Sequence, residues 1–142
     1  MPYEITDVDT WVAEIENRPG GLARTLEDLA VGDVNLEFVV GRRTPEKPGS
    51  GLVFIAPVKG AAQIKAAKNA GFHKAETMHS VRLTGPDKAG LGSRMTRVIA
   101  DAGINLRGVT AASIGKKCLV YFAFDSKEEA KLAARALKKA LA

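Results

Sequence analysis

Two short loops carry the residue types best suited to holding a small ligand. Asn17-Arg18-Pro19-Gly20-Gly21-Leu22 and Asp87-Lys88-Ala89-Gly90-Leu91 each place glycine just before an apolar-periodic run that reads as a helix. The first backbone N–H groups of a helix have no partner inside it. Glycine lets a ligand come close to the main chain, and the helix dipole favours an anion there. Residues 18–22 and 88–92 are therefore expected to form two nests for a carboxylate. Asn17 offers both a donor and an acceptor, whereas an ionised Asp87 only accepts and repels a carboxylate, so the nests should differ. The same residues are also ordinary turn chemistry, which requires no ligand.

Other chemistry is poorly supported. Residues 85–93 look phosphate-cradling but lack the Gly-Lys-Ser/Thr ending of a P-loop. His73, His79 and Cys118 have no metal-ligand spacing; the histidines read as strand surface and Cys118 as a small apolar residue of a core strand. No nucleophile–base constellation is legible, so neither a catalytic residue nor a cofactor is expected. Glu14 and Glu16 alternate on one strand face as solvent patterning does. The stretch 41–51, with Arg42, Arg43, Lys47 and two prolines, is the longest irregular segment, either a cover for a ligand or a hairpin tip.

The elements that must position these loops come from an internal repeat. Residues 17–36 lie without a gap over residues 87–106, at an offset of 70: Gly20 falls on Gly90, Arg24 on Arg94, and Val34-Asn35-Leu36 on Ile104-Asn105-Leu106. Each copy predicts a strand (11–16; 81–84), the glycine loop, and a helix. In the first helix Leu22, Leu26 and Leu29 form the apolar face; in the second, Leu91, Met95, Val98, Ile99 and Ala102. Gly32-Asp33 and Gly103 end these helices. Strands at 36–41 and 106–114 follow, then strands at 52–58 and 118–124, then helices at 61–70 and 127–141. Each copy lacks one strand. Residues 72–79 supply it for the first, and because 3–10 overlie 73–80 at the same offset, residues 3–9 are expected to complete the second. Residues 3–16 and 72–84 would then be two long strands, each bridging both copies.

A strand, an Asn/Asp-Arg-Pro-Gly loop, an amphipathic helix and a Gly-(Val/Ile)-Asn-(Leu/Ile) strand opening resembles the ACT domain, the amino-acid-sensing regulatory module of metabolic enzymes. The matching stretches are residues 17–20 with 34–36 and 87–90 with 103–106. The resemblance implies an α+β chain of two ferredoxin-like βαββαβ units, residues 10–79 and 80–142, the latter completed by 3–9. Each unit would be an antiparallel four-stranded sheet with helices on one face, the edge strands being exchanged. It also implies a ligand between a loop of one unit and the second strand of another. Asn17, Arg18, Pro19, Gly20, Gly21 and Leu22 would face Asn105, and Asp87, Lys88, Ala89, Gly90 and Leu91 would face Asn35. Lys88-Ala89 departs from the usual Arg-Pro, which weakens the second site.

Composition narrows the remaining classes. The chain has 142 residues, 46% hydrophobic and 26% charged, and no apolar run long enough for a membrane span. The absence of a signal-peptide pattern and the single cysteine point to the cytoplasm. Residues 1–71 carry 8 basic and 10 acidic side chains, and residues 72–142 carry 13 and 6, so the net charge of +5 resides in the second half. Those basic residues are spread at helical spacing, as on a solvated face. With 6% aromatic residues, nucleic acid is a disfavoured partner. The expectation is a stand-alone regulator that binds a free amino acid, forms a homodimer, signals to a metabolic enzyme or regulator, and performs no chemistry. A ligand-free assembly module is the main alternative, and a nucleic-acid-binding regulator a weaker one.

Overall fold

The computed structural model describes residues 3–76 and 78–142. Along the chain run β1 (Glu4–Val8), β2 (Trp11–Glu16), α1 (Gly21–Val31), β3 (Phe38–Arg43), β4 (Ser50–Ala56), α2 (Gly60–Asn69), β5 (His73–Lys74), β6 (His79–Pro86), α3 (Leu91–Asp101), β7 (Gly108–Ile114), β8 (Lys117–Phe124) and α4 (Lys127–Ala140). They form two four-stranded antiparallel sheets, ordered β3-β4-β2-β5 and β1-β6-β8-β7. The chain divides into two compact units. The first is Asp9–Ala75; the second joins Glu76–Ala142 to the segment ending at Val8.

The α+β class and the exchanged edge strands are as expected. β1 pairs with β6 from Glu4↔Thr84 to Val8↔Ser80, and β5 pairs with β2 through Trp11↔Lys74 and Val12↔His73. The two long strands, however, are each interrupted. Asp9-Thr10 separates β1 from β2, and β5 is only two residues long. Phe72 explains the shortness: its side chain is buried in the first core and its N–H donates to Ala67 O at 2.9 Å, so the segment anchors inward before it reaches the edge. Of the expected strand 72–79, Thr77 lies outside the described residues.

Alternation with period two builds both cores. Trp11, Ala13, Val53 and Ile55 turn inward on β2 and β4 and meet Leu29, Ala67 and Phe72. In the second unit Val81, Leu83, Val120, Phe122 and Phe124 meet Met95, Ile99, Ala133 and Leu137. Each such large side chain contributes on the order of 1.5–3 kcal/mol by leaving water. β3 and β7 start two residues later than the apolar pattern suggests. Leu36 and Leu106 pack on the cores from the preceding connections, and pairing begins with Glu37 N–H to Ala56 O at 3.0 Å and Arg107 N–H to Ala123 O at 2.8 Å.

The helix ends repeat in detail. α1 closes with Asp33 N–H to Ala30 O (3.1 Å) and Val34 N–H to Leu29 O (3.3 Å); α3 closes with Gly103 N–H to Ala100 O (2.9 Å) and Ile104 N–H to Ile99 O (3.2 Å). This is the Schellman pattern, which needs a left-handed residue just past the helix. Gly103 provides it at φ 78, and Asp33 is forced into it at φ 56. The irregular stretch 41–51 shrinks to a tip at 44–49. Arg42 and Arg43 belong to β3 and Gly51 to β4, and the tip is folded by Lys47 N–H to Thr44 O and Ser50 N–H to Lys47 O. No described helix is long and apolar enough to cross a membrane.

Candidate functional site

Both glycine loops are the same turn. Gly21 N–H donates to Arg18 O at 3.0 Å around Gly20 at φ 86, ψ −10, and Leu91 N–H donates to Lys88 O at 3.1 Å around Gly90 at φ 83, ψ −1. These are type II turns, which want Pro at the second position and Gly at the third. Pro19 satisfies the first preference; Ala89 does not. α1 and α3 therefore start without a capping side chain and without an acidic residue in the first turn. α4 starts in the opposite manner, with Ser126 Oγ accepting from Glu129 N–H at 3.1 Å and two glutamates in its first turn. Beyond the first N–H, which closes the type II turn, the opening turns of α1 and α3 thus have no side-chain cap, and their positive dipole ends suit another acceptor.

Around these turns the units diverge. In the first, a cleft of about 220 Å³ is lined by Ile15, Glu16, Asn17, Arg18, Leu22, Gly41, Arg42, Arg43 and Gly51. Sheet register assembles it: Gly51 pairs with both Ile15 and Arg43, so the ends of β2, β4 and β3 lie side by side beside the loop. Leu22 was expected on the buried face of α1, but the helix buries Thr25 and Leu29 and leaves Leu22 38% exposed as an apolar wall of the cleft. The Arg18 guanidinium is paired with Glu16. Arg42 and Arg43 have no carboxylate partner among the described residues.

Glycine lets the backbone segments beside the turn close on one another. A Cβ at Gly21 would sit 2.3 Å from Glu16 O, and one at Gly51 would sit 2.9 Å from Arg42 O. At the repeat-equivalent places the second unit has Leu91 for Gly21, Ala111 for Gly41 and Cys118 for Gly51, as its shorter hairpin pairs Ser113 with Cys118 where the first pairs Arg43 with Gly51. Leu91 and Cys118 are both buried in the second core. Ala112 and Ser113 replace Arg42 and Arg43.

The structure thus brings Asn17, Arg18 and Leu22 together and adds Arg42 and Arg43, which the sequence left in an irregular loop. Pro19, Gly20 and Gly21 shape the turn. Asp87, Lys88, Ala89 and Gly90 form an exposed turn, and Leu91 is a core residue. Asn35 and Asn105 do not open strands: each is exposed in a connection, three residues before β3 and β7 respectively. The apolar neighbours on either side turn into the cores and hold these connections outside the ladders. Burial, and secondarily the Asp87 carboxylate, push the Cys118 thiol above its ordinary pKa, so it stays protonated at neutral pH. The Lys47 ammonium hydrogen-bonded at 2.8 Å lowers the pKa of Glu14. Among the described residues, no three His, Cys, Asp or Glu side chains gather as a metal site. A second hollow, about 480 Å³, lies between α1 and α2, where Gly32 lets Ala66 approach closely.

Comparison with known proteins rests on structure alone. No family model matches the sequence, and no curated protein matches it. The regulatory subunit of aspartate kinase from Thermus thermophilus is similar with a TM-score of 0.68 at 15% identity, covering 100% of this chain and 98% of that one. The corresponding subunit from Thermus flavus gives 0.61 at 16% identity, over 100% and 98%. Protein BT0572 from Bacteroides thetaiotaomicron gives 0.78 at 16% identity, over 96% and 90%. At such identities the likeness shows the fold, which is ACT-like.

Proposed function

We propose that this chain is a regulatory protein of two ACT units, residues 10–79 and 80–142 with 3–9, that binds a free amino acid and catalyses nothing. The observation that carries this reading is the cleft at the first loop. It joins an uncapped helix start, suited to a carboxylate, to the Asn17 amide, the apolar wall of Leu22 and Ile15, and a volume fit for one small molecule. That two of the similar structures are regulatory subunits of a kinase acting in amino-acid chemistry supports a regulatory output. Such an output requires the ligand to prefer one of two states of the protein or of its complex with a partner enzyme.

A second copy is the expected assembly partner. β7 is a seven-residue exposed edge without charge or proline, bearing Val109 at 51% and Ile114 at 86% exposure, and bare edges of this kind pair with other strands. The same edge is what favours the ligand-free assembly reading. A thermal-shift screen of the full chain against the twenty amino acids separates the two. A rise in Tm with one or a few amino acids supports sensing; no rise with any of them at millimolar concentration contradicts it.

A further inference from the structure

The first cleft holds more positive charge than a neutral amino acid would use. Arg18 is already neutralised by Glu16, while Arg43, on the same sheet face as Ile15 and Gly51, reaches the cleft without a carboxylate partner among the described residues; Arg42, beside Leu52, turns to the opposite face. This surplus occurs in the half of the chain whose overall balance is negative, so it is local rather than a diffuse basic field. We propose that the cleft selects an amino acid with an acidic side chain, of the aspartate and glutamate class. The proposal rests on the amino-acid reading of the first loop and adds the chemistry of the side chain.

The uncapped start of α1 suits one carboxylate, and the Arg43 guanidinium suits the other, since a guanidinium binds a carboxylate through paired, charge-assisted hydrogen bonds. The Asn17 carbonyl oxygen supplies an acceptor for the ammonium at the same rim. A glutamine or asparagine would leave Arg43 unmatched, and a lysine would be repelled by it. The volume of about 220 Å³ fits such a ligand and is small for a nucleotide.

Calorimetry of the full chain with L-glutamate against L-glutamine, and L-aspartate against L-asparagine, tests charge at nearly constant shape. The acidic member of a pair should bind about tenfold tighter or better, with a preference that shrinks as salt is raised. Arg43→Gln should abolish the preference and Arg42→Gln, on the opposite face, should preserve it, both leaving the melting temperature unchanged because both residues are exposed on an edge strand. Gly41→Leu, at a glycine whose added Cβ would meet nothing nearer than 4.0 Å, should fill the cleft and abolish binding of every amino acid. Equal or tighter binding of a neutral or basic amino acid overturns the acidic selectivity and leaves sensing intact. So does a preference that survives Arg43→Gln, or inorganic phosphate binding more tightly than either acid. No binding of any amino acid overturns both readings.

Discussion

The turn before α1 and the turn before α3 follow one backbone path, with left-handed glycines at φ 86 and φ 83 and the same hydrogen bond across the turn. Their surroundings are opposite. Gly41 and Gly51 line the hollow beside the first turn, and Arg43 faces it. In the second unit Leu91, Ala111 and Cys118 take the places of Gly21, Gly41 and Gly51, and two of these side chains are built into the core. Both copies start this helix uncapped, while the side chains beside the two turns have diverged.

The largest contrast should appear on truncating the leucine of each loop. Leu91→Ala, removing a buried side chain, should cost about 2–4 kcal/mol, whereas Leu22→Ala, at an exposed cleft wall, should change stability by about 0.5 kcal/mol or less. Urea unfolding measures both, and comparable costs would break the contrast. A smaller effect is expected where the copies differ at the helix end. Asp33→Gly should stabilise by roughly 0.5 kcal/mol, because it relieves a left-handed aspartate that glycine occupies freely, and Gly103→Asp should destabilise by a similar amount. Opposite signs in the denaturation midpoints sharpen the view that the two helix ends are one motif with interchangeable residues; shifts in the same direction would oppose it.

Most of the fold was readable because the sequence states it twice. The overlay of residues 3–10 on 73–80 revealed the exchange of edge strands, which no local propensity could have shown. Strand lengths were less legible. Whether Phe72 continues an edge or plugs a core depends on what lies opposite, and Leu36 and Leu106 read as strand residues although they anchor connections. Within the site, Asn17, Arg18 and Leu22 were legible from turn and cap chemistry. Arg42 and Arg43 were not, because only the pairing of Gly51 with Ile15 on one side and Arg43 on the other brings residues more than twenty positions apart to one place. A signal was nevertheless present in the repeat: Ala112 and Ser113 stand where the first copy has two arginines.

The central claim, that the first loop rather than the second is the ligand site, is tested most directly by residue-resolved NMR titration of the full chain with L-glutamate. The backbone amides of Arg18, Leu22 and Ala23 should shift with the saturation of one binding event, while those of Lys88, Gly92 and Ser93 remain in place over the same range. Shifts that appear first, or only, around Lys88–Ser93 would contradict the account.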